Sequence, residues 1–240
     1  KQSSKLLEPV NSFPKKTKTS LLFSFTPDYC MLHKTSAIIL PNTLQLLENL
    51  QDDESLSTFF LVGGTALALQ IGHRFSIDLD FFCLEAFDTQ SLTQYLSKYD
   101  LRITAVEKNT LLGVIDGVKT DFISHNYPLV EPLLKIEGLR LASIQDIAAM
   151  KLNAIAHSGQ RLKDFIDIYC LLEIIPLQSM LDAYSKKYIN SNLIIPLKGL
   201  TYFDDIDFDM DPPILNREIP IKNLKVRLRE SINNPSKIFQ

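Results

Sequence analysis

The sequence predicts an α+β fold, with strands in the first half of the chain and helices in the second. Short apolar runs separated by glycine and asparagine turns, which are typical of strands, continue to about residue 124. From residue 140 onward, apolar residues recur at helical spacing. The 240 residues are 45% hydrophobic and 22% charged, a composition that allows a sizeable core and excludes a disordered chain.

The predicted elements follow in order along the chain. Residues 1–30 show no periodicity and carry three prolines, so we expect a loosely attached extension. An α/β core of residues 31–138 and a helical region of residues 139–240 with an acidic loop are expected next. Strands are predicted at 59–62, 77–83, 101–107, 110–115 and 118–124. Helices are predicted from Pro41 and at 65–72, 88–98, 143–158, 161–174, 177–188 and 193–203.

Charge and cysteine content limit the possible environments. A net charge of −3 excludes a generally basic coat for nucleic acid but leaves a local basic patch possible. No apolar run approaches the ~18 residues of a membrane helix, and residues 21–25 are too short for a signal-peptide core. Cys30, Cys83 and Cys170 lie far apart, which predicts reduced thiols in a cytoplasmic protein. Five aspartates crowd into residues 204–211, where we expect a solvated loop without a metal.

Two acids alternate with apolar residues in the strand predicted at 77–83. Ile77, Leu79 and Phe81 point to one face, whereas Asp78 and Asp80 point to the other, about 6.5 Å apart. Like charges this close repel each other unless a cation lies between them, and paired carboxylates suit Mg²⁺. The alternative is a half-solvated strand that turns its polar face to water.

A glycine pair and a third acid extend this pattern. Gly63-Gly64-Thr65 falls between a buried strand and a helix, where backbone N–H groups can bind phosphate. Asp121 lies among apolar residues of the strand 118–124, with Lys119 and Ile123 on its face. Although Gly-Gly alone would indicate only a tight turn, the combination meets the requirements of metal-dependent phosphoryl or nucleotidyl transfer.

The helical half contains a lysine in an unexpected position. Lys151 projects near the middle of an apolar face, so it either snorkels from the core or faces a cleft and an anion. Asp164 and Asp167 share one side of the next helix, and an ion pair with Lys151 would satisfy buried charges. His73 and Arg74 either approach phosphates or form a surface turn.

Three segments resemble a known family. FFLVGGTALALQIGHRFSIDLDFF (59–82) resembles the first motif of AbiEii/AbiGii-type nucleotidyltransferase toxins, which belong to the DNA polymerase β-like superfamily. GVKTDFIS (117–124) is similar to the strand that brings the third carboxylate, and KLNAIAHSGQRLKDFIDIY (151–169) to the paired helical motifs. The likeness runs from about Met31 to about Phe203. Thr65 stands where many members have Ser, which keeps the hydroxyl. Ser158 stands where Arg is usual, and Arg161 is the candidate replacement for that Arg.

The resemblance implies a polymerase β-like nucleotidyltransferase fold: a mixed sheet with flanking helices, then a helical C-terminal half. It also implies transfer of a nucleotide from an NTP to an acceptor hydroxyl. The catalytic residues that it implies are Asp78, Asp80, Asp121, Lys151, Asp164 and Asp167, the first three as Mg²⁺ ligands. The nucleotide-binding residues that it implies are Gly63, Gly64, Thr65, Arg74, Lys151 and Lys163.

The partners also follow from the resemblance. Relatives act as growth-inhibiting toxins or in abortive infection against phage, and are usually paired with an antitoxin encoded alongside. An RNA acceptor, in particular a tRNA end, fits the basic residues that the motifs gather, together with Lys119 and Arg161. The alternatives are a small-molecule or protein acceptor, or a binding module of the same fold that has lost turnover.

Overall fold

Seven strands and eight helices are formed by residues 31–240, the part of the chain that the computed structural model describes. The strands are β1 (Phe60–Val62), β2 (Leu79–Cys83), β3 (Leu101–Glu107), β4 (Thr110–Ile115), β5 (Val118–Ser124), β6 (Leu134–Ile136) and β7 (Leu139–Leu141). The helices are α1 (Pro41–Asp52), α2 (Gly63–Ile71), α3 (Thr89–Leu96), α4 (Ile144–His157), α5 (Leu162–Leu171), α6 (Leu177–Lys187), α7 (Ile194–Gly199) and α8 (Ile221–Asn233). The expected N-terminal extension and Cys30 lie outside the described residues.

All seven strands join one mixed sheet in the order β3-β4-β5-β2-β1-β7-β6. At its centre β2 runs parallel to β5 and antiparallel to β1. The inward residues of these central strands, among them Leu61, Leu79 and Phe122, are almost completely buried. The α+β fold with a mixed sheet and flanking helices is therefore confirmed.

The helices of the second half pack around α4. Its N-terminus is capped by Ser143, whose hydroxyl accepts a hydrogen bond from the Asp146 amide. Contacts join α4 to α2, α5, α6 and α7, so this helix connects the sheet-bearing half to the helical half. None of the helices in residues 31–240 has the length and apolar character that crossing a bilayer requires.

The strands predicted at 101–107, 110–115 and 118–124 are confirmed to the residue, but other elements differ. The second strand begins at Leu79, and Ile77 is 44% exposed, so Ile77 does not share the buried face of Leu79. The helix predicted at 65–72, which is α2, begins at Gly63 rather than Thr65. The β6–β7 hairpin and α8 were not predicted, and β7 adds a parallel neighbour to β1 in a region that was expected to be helical.

Candidate functional site

Two carboxylates lie side by side on neighbouring strands at the centre of the sheet. The register pairs Asp80 of β2 with Asp121 of β5, so the two side chains point to the same face. Oδ2 of Asp121 is 2.9 Å from Nζ of Lys119. The other oxygen, Oδ1, is buried without a hydrogen-bond partner among residues 31–240. Asp78 lies immediately before β2 and lines the same cleft.

The environment of Asp80 opposes its ionisation. Burial raises the pKa of the Asp80 carboxyl, and the charges of Asp121 and Asp78 raise it further, against the opposing effect of Lys119. A carboxylate in such surroundings is stabilised by a cation that binds next to it. The acids therefore form a site that favours a positive charge.

The glycine pair brings α2 close to these acids. Gly63 has a φ of +70°, in the left-handed region that favours glycine. A Cβ on Gly63 would collide with the Asp80 carboxylate, and a Cβ on Gly64 would collide with the Arg74 guanidinium. The absence of side chains therefore lets both charged groups approach the start of α2, where free N–H groups can bind anions.

Thr65 faces inward rather than toward the cleft. Its side chain is buried, and its hydroxyl donates a hydrogen bond to the backbone carbonyl of Asp78. The same hydroxyl lies 2.8 Å from the Ser76 hydroxyl. Thr65 thus ties the start of α2 to the segment that carries Asp78.

A buried ion cluster, formed by Asp167, His73, Arg74, Lys151 and Asp164, borders the cleft. Arg74 binds Asp167 in a bidentate manner, with Nε–Oδ1 at 2.7 Å and Nη2–Oδ2 at 3.0 Å. Lys151 Nζ lies 2.7 Å from both Asp164 Oδ1 and Asp167 Oδ2, and His73 Nε2 lies 2.7 Å from Asp167 Oδ1. The predicted pairing of Lys151 with these acids is confirmed. His73 and Arg74 are buried, so they do not form a surface turn.

Opposing effects set the charges in this cluster. Burial raises the pKa of Asp167, but Arg74 and Lys151 outweigh it and hold that pKa well below its usual range. Burial lowers the pKa of His73 more than Asp167 raises it, so His73 is neutral at neutral pH. Two cations thus face two carboxylates, and the buried charges balance.

One cleft of about 290 Å³ collects most of the predicted site residues. Those that line it are Gly63, Gly64, Arg74, Asp78, Asp80, Lys151, Lys163 and Asp164. The other three, Thr65, Asp121 and Asp167, do not line it; Asp121 lies beside Asp80, and Asp167 binds Arg74 and Lys151. The structure therefore brings eight of the predicted residues, both acidic and basic, together around one cleft.

Two features of this cleft could not be predicted from the sequence. Its far end is aromatic, with Phe82, His125 and Tyr188 in the lining. In addition, the aspartates of the acidic segment 204–211 are exposed, as expected, but Asp211 Oδ1 lies 2.6 Å from Nζ of Lys163, which lines the cleft. The same carboxylate lies 3.9 Å from Arg161, which also lines the cleft.

The acidic donors fit a magnesium ion. Within residues 31–240, no three Asp, Glu, His or Cys side chains are grouped closely enough to bind a metal as a set. Mg²⁺ does not need such a cage, since it usually binds one or two carboxylates and completes its shell with water and substrate phosphates. Asp80 and the unpartnered Oδ1 of Asp121 are hard oxygen donors of this kind.

Comparisons with known proteins agree with this geometry. The family model of the nucleotidyl transferase AbiEii toxin, type IV toxin–antitoxin system, matches residues 45–121 and 101–232. An uncharacterized protein of Aquifex aeolicus strain VF5 is 39% identical over 154 residues, which are 61% of this chain and 74% of that protein.

Solved structures show the same fold. MenT4, a nucleotidyltransferase toxin of Mycobacterium tuberculosis H37Rv, matches with a TM-score of 0.53 and 15% identity over 78% of this chain and 81% of its own. JHP933 of Helicobacter pylori matches with a TM-score of 0.50 and 20% identity over 81% of this chain and 90% of its own. Because the family model spans most of the chain, the protein belongs to the AbiEii nucleotidyltransferase toxin family and is a nucleotidyltransferase.

Proposed function

We propose that the protein transfers a nucleoside monophosphate from an NTP to an RNA hydroxyl, releases pyrophosphate and depends on Mg²⁺. The observation that carries this proposal is the pairing of Asp80 with Asp121 beside a cleft that also bears basic groups. A cation bound to the acids and a triphosphate bound to the basic side would meet in one place, as phosphoryl-transfer chemistry requires.

The acids supply the metal side of this proposal. Asp78 and Asp80 would hold Mg²⁺, and Asp121 would contribute the oxygen that has no partner among the described residues. The bound ion would supply positive charge against the phosphate oxygens. Lys119 pairs with Oδ2 of Asp121, which leaves Oδ1 of that carboxylate for the ion.

The phosphate side uses groups that are already fixed in place. The N–H groups at Gly63 and Gly64 would face the triphosphate, and Lys163 would add a cation from α5. Arg74 and Lys151 are held by Asp167, so a phosphate would not have to order them. We therefore assign Asp164 and Asp167 to positioning these cations, and Thr65 to holding the segment before β2.

The RNA acceptor that we propose, most specifically a tRNA end, is supported by two exposed cations: Arg161 lines the cleft, and Lys119 pairs with Asp121 beside it. The side chains of Lys119 and Arg161 are 55% and 52% exposed, so they are accessible to a polynucleotide. Several such phosphate contacts are needed to bind RNA in a chain that is acidic overall. NTP and tRNA occur together in the cytoplasm, where we place the activity.

The biological role that we propose is that of the toxin of a toxin–antitoxin or phage-defence pair. It is supported by the description of the matching family as a toxin of a type IV system. A cognate antitoxin protein would then be the partner. Expression of the chain alone measures its toxicity, with Asp80→Asn as the inactive control. Expression together with its neighbouring genes measures whether an antitoxin suppresses that toxicity.

Labelling of RNA tests the activity directly. Purified protein is incubated with each labelled NTP, Mg²⁺ and total RNA, then with purified tRNA across a salt series. We expect label in tRNA with a subset of the NTPs, loss of label with Asp80→Asn or EDTA, and weaker labelling at high salt. If a protein or a small molecule is labelled instead of RNA, that molecule is the acceptor and the RNA proposal is wrong. Failure to label any acceptor would favour a binding module that has lost turnover.

A further inference from the structure

The cleft changes character along its length. At one end lie the start of α2 and the cations Arg74 and Lys151, and at the other end lie aromatic rings. Because β1 and β2 are antiparallel, with Val62 paired to Asp80, the glycine pair lies beyond the N-terminal end of β2. The aromatic residues lie in the opposite direction along the same strands.

Strand geometry places these rings one step beyond the acids. Phe82 follows Asp80 by two residues on the same face, a separation of about 6.5 Å. Ile123, the partner of Phe82 in the register, also lines the cleft, and His125 follows it by two residues. A ribose can span this distance between a phosphate at the acids and a base at the rings.

Four rings form a continuous cluster, which we call the aromatic end: Phe82, His125, Tyr127 and Tyr188. The ring of His125 lies over Phe82 with centroids 4.7 Å apart and an angle of 26° between the planes. Tyr127 lies 4.7 Å from His125 and 4.9 Å from Tyr188. Tyr127 is 46% exposed, whereas Tyr188 is buried, so the cluster runs from the surface into the protein.

One polar atom in the aromatic end has no partner. Nε2 of His125 is buried and makes no hydrogen bond with any described residue. A buried polar atom without a partner costs free energy, and a ligand that binds it removes that cost. Burial, with a further effect of Lys187, lowers the pKa of His125 to about 4, so the ring is neutral at neutral pH. A neutral imidazole offers one donor and one acceptor.

We propose that the aromatic end is the nucleobase subsite, in which the base of the incoming NTP packs against Phe82 and His125 and His125 Nε2 hydrogen-bonds to its edge. This assignment rests on the proposed function and adds the groups that distinguish one NTP from another. Base stacking on aromatic rings is tolerant of base identity, so the hydrogen bond of His125 supplies the preference.

Nucleotide binding tests the assignment. The four NTPs and inorganic tripolyphosphate, which lacks a base, are titrated into the protein with Mg²⁺ and without acceptor. His125→Ala is expected to weaken NTP binding roughly 5- to 150-fold, the loss of one stacked base, and to leave tripolyphosphate binding unchanged. His125→Phe is expected to restore most of the affinity but to change the preference among the four bases. Phe82→Leu, which keeps apolar volume, is a second variant, and exposed His33→Ala is the matched control.

The outcomes separate the two levels of the proposal. NTP affinity that is unchanged in His125→Ala and Phe82→Leu, in chains that melt like the wild type, overturns the base subsite alone. If these variants keep their NTP affinity but have a raised KM for RNA, the rings contact the acceptor, and the base subsite is again overturned. A wild-type chain that binds neither NTP nor tripolyphosphate overturns the proposed function as well.

Discussion

At the scale of single residues, the charge of Asp80 destabilises the folded protein when no metal is bound. Burial and two neighbouring carboxylates oppose its ionisation. We therefore predict that Asp80→Asn keeps or raises the melting temperature without Mg²⁺, because the substitution removes repulsion. The same variant is expected to lose nucleotide transfer. Melting curves with and without Mg²⁺, beside transfer assays, check both parts, and full activity would contradict the metal assignment.

Asp167 has the opposite energetic role. It is completely buried and receives bonds from Arg74, Lys151 and His73, so its charge is needed to hold two buried cations. Asp167→Asn is expected to lower the free energy of unfolding by about 3–5 kcal/mol. Denaturant melts measure this loss, with the exposed Asp209→Asn as control. A loss below about 1 kcal/mol would show that the cluster does not depend on this carboxylate.

The same residue predicts how stability depends on pH. The folded-state pKa of Asp167 is depressed, so the charged carboxylate stabilises the folded protein. This contribution to the free energy of unfolding is fully present above the pKa of an unfolded aspartate, about 3.9. The contribution is lost as pH falls below that value toward the folded-state pKa. The wild type is therefore expected to lose more stability between pH 5 and pH 2 than Asp167→Asn does, in melts across that range. Equal losses in the two proteins would contradict the assignment.

At the scale of elements, the junction of β1 and α2 is the connection on which the site depends. Gly63→Ala places a side chain in a left-handed conformation, which costs about 1–2 kcal/mol, and directs Cβ at the Asp80 carboxylate. We expect lower stability and loss of transfer. Gly117→Ala, at a φ of +81° with no atom within 4 Å of the added Cβ, is expected to lose comparable stability and keep activity. Equal activity in the two variants would contradict a role for the junction in the site.

The sequence predicted those elements whose apolar pattern is long and regular. Strands β3, β4 and β5 are six or seven residues long and lie between clear turns, and the structure matches them; in β4, buried and half-buried residues alternate. The β6–β7 hairpin was missed because each strand has only three residues and carries a basic side chain at its centre. Helix α8 was missed because only Leu224 and Leu228 mark a buried apolar face within a charged segment.

At the scale of the whole molecule, tertiary packing assembles some parts of the site. The local pattern of apolar and polar residues in the sequence could not predict these parts. The acids could be predicted because alternation on a strand fixes their direction, and Lys151 because it interrupts an apolar face. Tyr188 reaches the aromatic end from the far end of α6, more than sixty residues after His125. Nothing in the spacing of these residues indicates their contact, which depends on how α6 packs on α4.

The last prediction concerns Asp211, at the end of the acidic segment 204–211. Asp211 binds Lys163 and lies near Arg161, so an RNA acceptor of the kind that we propose would have to displace this carboxylate from the cations of the cleft. Asp211→Asn is expected to tighten tRNA binding roughly two- to fivefold at low salt, within the ~0–1 kcal/mol typical of an exposed ion pair. With one more cation free, the slope of log affinity against log salt should steepen by about 0.7–0.9. Asp209→Asn changes the net charge equally but takes no part in these pairs, so it controls for general electrostatics. Identical salt slopes for the two variants would show that the segment does not compete for the cleft.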